Sequence, residues 1–224
     1  MQALQNLEKL EIEILDLFNS IRVLDSLYFG GGTMLRLCHN LNRYSTDLDF
    51  WLDNESDSKS IYLSIKKSLS DNYRLTDSAN KKFTLLFELK SSSVNRSLKI
   101  EIRKEQQNFE WERKIAFSKF TNKQVIVKGL TLNQMMKNKF EALLSRKIIR
   151  DAFDIQFMLM RGVKLPSDKN QLLEVLQVIN NFKEQDYKAN LGSILDEPDR
   201  KYYLENRFSL LKEEINKNLN FSVQ

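Results

Sequence analysis

The chain has 224 residues, 42% apolar and 29% charged, and its 35 Lys and Arg against 30 Asp and Glu give a net charge of +5. That length and apolar content suffice for one good-sized domain or two small ones without covalent staples. One cysteine, Cys38, excludes an internal disulfide, and with one histidine, His39, no Cys/His zinc cluster can be assembled.

A histidine-based nucleophile system would have to use His39, which sits in LRLCHNLN among apolar neighbours and reads, like Cys38, as a helix-packing residue. Acid–base and metal chemistry is therefore left to carboxylates and lysines. The mild basic balance is compatible with a nucleotide or nucleic-acid partner without requiring one. No stretch approaches the ~18 continuous apolar residues of a membrane span. The opening MQALQNLEKLEIEIL carries early acidic residues rather than a basic-then-apolar signal, so a cytoplasmic protein is expected.

Residues 5–19 repeat apolar positions at helical spacing, with Leu7, Leu10, Ile14 and Phe18 on one stripe. Residues 24–29 predict a short strand feeding Gly30, Gly31, Gly32 and Thr33, and residues 33–39 a short helix with Met34, Leu35 and Leu37 inward. Strand, glycine turn and helix form a phosphate-loop context. Glycines let backbone N–H groups approach an anion, and a helix start favours negative charge.

The connection NRYST brings Arg43 and Ser45 within reach of a phosphate, with ordinary loop residues as an equal reading. In the strand that follows, Asp47 and Asp49 share one face while Leu48, Phe50 and Leu52 share the other. Two carboxylates so close repel, and a divalent cation between them is the usual remedy.

A surface helix is expected around residues 61–69, with Ile61, Ile65 and Leu69 on one stripe. Residues 83–89 and 98–103 read as a hairpin joined by a Ser/Asn turn. In the second strand Leu98, Ile100 and Ile102 face the core, leaving Lys99, Glu101 and Arg103 together. Glu101 becomes a third metal-site carboxylate if this strand neighbours that of Asp47 with polar faces on the same side. Otherwise the trio is a solvated stripe on an edge strand. Between residues 105 and 123, the spacing of Phe109, Trp111, Ile115, Phe117 and Phe120 fits an irregular strand or a strand plus turn. Core packing is preferred for these rings over a platform for bases. Residues 124–128 form a short strand and Gly129 closes the sheet-forming part, giving domains at 1–129 and 130–224.

The remainder is helical. Residues 131–147 place Met135, Phe140, Leu143 and Leu144 on the apolar side, with Lys139 and Arg146 on one face. Next, Asp151 and Asp154 share a face opposite a buried stripe of Phe153, Phe157 and Met160, and salt bridges between the two helices are the first reading of this cluster. A helix over 172–179 and a long one from near Pro198, with Leu204, Phe208, Leu211 and Ile215 inward, complete the chain.

Taken together, GGGTMLRL, RYSTDLDF, the Glu101 strand and KFEALLSRKIIRDAFDI resemble the AbiEii/AbiGii toxin family, a branch of the polymerase-beta-like nucleotidyltransferases. The resemblance spans most of residues 29–160. It implies an α/β (α+β) fold, with a mixed nucleotidyltransferase sheet, flanking helices and a C-terminal helical domain. It implies transfer of NMP from an NTP co-substrate to an acceptor hydroxyl, with Asp47, Asp49 and Glu101 as catalytic ligands of Mg²⁺ or Mn²⁺. Gly31, Gly32, Thr33, Arg43, Ser45 and Lys139 would hold the nucleotide, and Asp154 would orient Lys139 or the acceptor. An RNA acceptor, in particular the tRNA 3′ end, and a cognate antitoxin are the implied partners. Two departures stand out: the segment before the R-x-S pattern is HNLNRYS, and Glu101 occupies a position that is often Asp. Two other readings compete. One is a metal-dependent nuclease built on Asp49 with Glu101, Arg103 and Lys104; the other is a catalytically silent module binding RNA or protein.

Overall fold

The computed structural model of the chain describes residues 2–91, 94 and 96–220. The chain separates into two compact units, one of Met1–Asn40 with Tyr44–Thr131 and one of Leu41–Arg43 with Leu132–Gln224.

In the first unit, helix α1 (Gln2–Ser20) buries Leu7, Leu10, Ile14 and Phe18 completely. It stops at Arg22, which is left-handed with φ 62°. A single 3-10 turn, Val23–Ser26, follows where the sequence predicts strand. The Asp25 N–H donates to the Arg22 carbonyl and the two side chains pair at 3.4 Å, a local closure that competes with extended pairing. Strand β1 (Leu27–Gly30) therefore begins late, and α2 (Gly31–His39) begins two residues earlier than predicted. The glycine run is thus the end of a strand and the first turn of a helix, not a loop.

After β2 (Asp47–Leu52) comes α3 (Ser58–Asn72), started by Asp57, whose carboxylate accepts from the N–H groups of Lys59 and Ser60. Strand β3 (Arg74–Asn80) escapes the sequence reading because RLTDSAN is an edge strand with little buried surface and no apolar alternation. The hairpin of β4 (Thr84–Lys90) and β5 (Leu98–Arg103) forms as predicted. Residues 92, 93 and 95 of its Ser/Asn turn lie outside the described residues. Strands β6 (Trp111–Phe117) and β7 (Gln124–Leu130) make a second antiparallel pair. The seven strands run in the order β3-β4-β5-β2-β1-β7-β6, with β1–β7 and β2–β5 parallel.

Alternation divides the sheet into two different faces. One carries Phe29, Leu48, Phe50, Phe87, Ile100 and Ile102, all buried. Helices pack here, as the ring contacts Phe18–Phe50 (6.1 Å) and Tyr62–Phe87 (5.3 Å) show. The other face carries Asp47, Asp49 and Glu101. It also carries Trp111, Ile115 and Phe117, which are 42%, 54% and 39% exposed, so core packing of these β6 side chains is corrected. The β6 core contact is Ala116, on the opposite parity.

The second unit comprises α4 (Leu132–Arg146), α5 (Ile149–Leu159), α6 (Lys169–Asn180), a π-helical turn at Asp186–Leu191, α7 (Glu197–Asn206) and α8 (Ser209–Asn220). The long helix predicted from near Pro198 is two helices, broken where Arg207 and Phe208 take φ of 42° and 58°. That backbone is costly for an aromatic residue. Packing holds it there, because the Phe208 ring is buried against Tyr203 at 5.3 Å and Tyr187 at 5.6 Å. Phe153 and Phe157 are buried on α5, but Met160 lies past the helix end and is 63% exposed. No helix among the described residues is long and apolar enough to cross a membrane.

Candidate active site

The carboxylates sit in the middle of the sheet. Strand β2 lies between β1 and β5, and one rung of the ladder aligns Gly30, Asp49 and Glu101, while Asp47 stands opposite Lys99. The condition on which Glu101 depended is met, since β5 adjoins β2 with the polar faces together. The Glu101 carboxylate is turned to Lys99, at 3.1 Å. Accordingly, among the described residues no three Asp, Glu, His or Cys side chains form a closed metal cluster. Two carboxylates on one strand face and a third on the next strand still make an all-oxygen donor set, which suits a hard divalent cation if Glu101 exchanges Lys99 for it.

Glycine is required beside this row. Gly31 has φ 73°, and a Cβ there would lie 2.2 Å from Asp49 Oδ2. Only a residue without a side chain lets the Asp49 carboxylate rest over the first turn of α2, where the helix dipole favours it. Gly31→Ala is expected to displace Asp49, slowing any reaction that uses this carboxylate row about 10²-fold and lowering stability by about 1–2 kcal/mol through backbone strain. Single-turnover assay and thermal melting check the two effects separately. Gly32 is the second residue of the same turn, and Ser45 is half-buried in the connection leading to β2.

Thr33 does not face an incoming anion. Its side chain is fully buried and its Oγ1 donates to the Asp47 backbone carbonyl at 2.6 Å. The nucleotide contact expected of Thr33 is therefore corrected to a positioning role, tying α2 to the start of the carboxylate strand. Thr33→Val keeps the shape and removes that hydrogen bond, for an expected loss of about 1 kcal/mol in urea unfolding.

Behind the same strand lies a polar cluster that the sequence reading missed. Glu8 and Glu11 of α1 are 5% and 1% exposed. Glu8 accepts from Arg36 Nε and from Ser118 Oγ, each at 2.6 Å, and the Arg36 guanidinium lies 4.0 Å from the centre of the Tyr44 ring. Burial pushes the Glu11 carboxyl well above the usual range; Glu8 adds to this, Arg36 opposes it and Asp47 adds again. The available signal was position, since both glutamates interrupt the apolar stripe of α1 between Leu7 and Ile12. Burial pushes the Cys38 thiol up to about 12 against the opposing pull of Lys114, which disfavours the thiolate.

In the second unit five charges form a chain. Arg43 makes a two-pronged bond to Asp154, with Nε and Nη2 each at 2.7 Å from an oxygen. Lys139 Nζ lies 2.7 Å from Asp154 and 3.2 Å from Asp151. Arg146 completes the row with bonds of 2.7 and 2.8 Å to Asp151. Arg43 is 3% exposed, so its expected phosphate contact is corrected; it anchors the segment Leu41–Arg43 to the helical unit, where it also bridges Leu195. Lys139 is buried between two aspartates and joins α4 to α5. The Asp154 carboxyl would be raised by burial, but Arg43 and then Lys139 outweigh this and hold it below the usual carboxylate range.

The family model described as nucleotidyl transferase AbiEii toxin, type IV toxin–antitoxin system, matches residues 17–220. Among solved structures, JHP933 from Helicobacter pylori superposes with a TM-score of 0.50 and 18% identity, covering 92% of this chain and 94% of its own. A second H. pylori structure, described as that of a nucleotidyltransferase, gives a TM-score of 0.53 and 17% identity, covering 93% of this chain and 96% of its own. At such identities these two share the fold. A comparison with curated proteins finds no match. Because the family match takes in the glycine turn, the carboxylate strands and the helical charge chain together, the chain belongs to the AbiEii nucleotidyl transferase toxin family.

Proposed function

We propose that this protein transfers a nucleoside monophosphate from an NTP to a hydroxyl of RNA, with the 3′ end of tRNA as the acceptor. It would act in the cytoplasm as the toxin of a pair restrained by a cognate antitoxin. The observation that carries this reading is the shared rung of Asp49 and Glu101, with Asp47 on the same face and the first turn of α2 alongside. An acceptor oxygen attacks the α-phosphorus, a new P–O bond forms, the α–β bridging P–O bond breaks, and pyrophosphate leaves. Glu101, freed from Lys99, takes the acceptor proton, and the N–H groups of Gly31 and Gly32 meet the triphosphate. Asp47, Asp49 and Glu101 would hold Mg²⁺ or Mn²⁺, which supplies charge stabilisation at the reacting phosphate.

The nuclease reading loses support from geometry. It needs Lys104 beside Glu101, yet Lys104 Nζ is bonded to Asn80 Oδ1 at 2.5 Å and to the Lys81 carbonyl at 2.7 Å.

The test is incubation of the purified protein with Mg²⁺, each α-labelled NTP in turn and total tRNA, resolved on a denaturing gel. Label on RNA with wild type and none with Asp49→Ala supports the reading and names the nucleotide. Absence of label with every NTP, while RNA is still bound, rejects it in favour of a binding module; RNA fragmentation without NTP rejects it in favour of a nuclease.

A further inference from the structure

The face that carries the carboxylates continues into a second row one rung away. Arg113 of β6 pairs with Lys128 of β7, Lys128 with Tyr28 of β1, Tyr28 with Trp51 of β2, and Trp51 with Arg103 of β5. Since paired residues point to the same side, five strands place cation, cation, ring, ring, cation in one line. Trp51 is buried in it, with the Phe109 ring 5.5 Å from Trp51 and 5.9 Å from Tyr28, so the accessible rings are the exposed Trp111 and the half-buried Tyr28. The contacts within it are physical. Lys128 lies over both Tyr28 (5.7 Å) and Trp111 (5.3 Å), and Arg103 lies 5.1 Å from the Trp51 ring. Trp111, at the β6 end, is 42% exposed, and Arg113 is exposed beside it. An open groove of about 470 Å³ runs along this end, its lining including Trp111, Arg113, Gln124, Ile126, Lys128 and Asp25, whose backbone carbonyl accepts from Lys128 Nζ.

We propose that this row is a docking track for a single-stranded segment of nucleic acid, with bases stacked on Trp111 and Tyr28 and phosphates on Arg113, Lys128 and Arg103. Every base has a flat face to stack, and every linkage carries a charge, so alternating rings and cations suit such a strand without regard to sequence. Three strand spacings of ~4.8 Å separate β6 from β2, so the track reaches the strand that bears Asp49 about 14 Å from its outer edge and ends one strand further on, at Arg103 of β5. The proposal rests on the nucleotidyl-transfer reading only for the purpose of the strand; binding stands by itself.

The chain has two tryptophans, Trp51 and Trp111, and both lie on this face. Binding of an unlabelled mixed-sequence single-stranded RNA is therefore followed by intrinsic fluorescence, and independently by filter retention of the same RNA end-labelled. Wild type should show quenching. Trp111→Phe should lose most of the quenching while retaining affinity, and Trp111→Ala should bind about ten-fold more weakly. Arg113→Ala should flatten the salt dependence by about one counterion. Both side chains are exposed, and unchanged thermal melting verifies folding. Wild-type affinity and salt slope in Trp111→Ala and Arg113→Ala would overturn the proposal and leave the exposed Ile115–Ile126 pair as a protein-docking face. Asp49→Ala should keep both quenching and affinity. Quenching by a wild type that transfers no label would remove the enzymatic reading and spare this one.

Discussion

Asp49→Ala is expected to slow nucleotidyl transfer by about 10³-fold or more while leaving the protein folded. Asp49 occupies the point where three features meet: the Asp47 face of β2, the rung shared with Glu101, and the start of α2 over Gly31. Its removal takes away charge aimed at the reaction centre without opening a hole in the core. The apolar side of β2, with Leu48 and Phe50, is on the opposite face and stays intact. Relief of repulsion from Asp47 and loss of the favourable placement over the start of α2 oppose each other, so thermal melting should stay close to wild type. Glu101→Gln tests the division of labour. It keeps the shape and a hydrogen bond to Lys99 but cannot take a proton, so it should lower the rate while leaving the fold unchanged. Single-turnover label transfer from the nucleotide identified for wild type measures both variants. Transfer within ten-fold of wild type in Asp49→Ala would remove Asp49 from the reaction centre.

What the sequence revealed and concealed follows from the range of the forces involved. The alternation in DLDFWL and LKIEIR showed which side chains share a face, because burial of one face forces a two-residue period. Their pairing needed the fold, since β2 and β5 are joined across α3, β3 and β4. In β6 the apolar area of Trp111, Ile115 and Phe117 pointed to a core, yet Arg113 on the same parity was the sign that this face meets water. Strand β3 carries no periodic signal because it is an edge strand of mainly polar residues whose sheet neighbour is β4 and which buries no apolar face. Arg43 and Thr33 were misread for a shared reason. Each sits in a segment whose local pattern resembles a phosphate loop, while its partner lies far along the chain. Asp154 is 111 residues from Arg43, and the Asp47 carbonyl is 14 from Thr33.

Arg43→Ala should destabilise the protein by about 3–5 kcal/mol, because it strands a carboxylate with no exposure beside a single remaining cation. Lys139, at 2.7 Å from Asp154, is shared with Asp151 and cannot replace a two-pronged guanidinium. The pH dependence has a definite sign. Burial raises the Asp154 carboxyl, but Arg43 and Lys139 bring it below its ordinary value. Its stabilisation is then complete above the unfolded carboxylate value of ~3.9 and is lost as pH falls through the lower folded value. Without Arg43 the folded value rises, so acid unfolding should begin at higher pH. Arg43→Met combined with Asp154→Leu discriminates a needed charge pair from a merely buried one. Apolar replacement of both partners should restore much of the loss, since buried ion pairs gain little over well-packed hydrocarbon, and Lys139 retains Asp151. Urea unfolding followed by far-UV circular dichroism, at neutral pH and along an acid series, measures all three proteins. A loss below about 1 kcal/mol in Arg43→Ala would mean that water reaches Asp154 and that the pair behaves as a surface bridge.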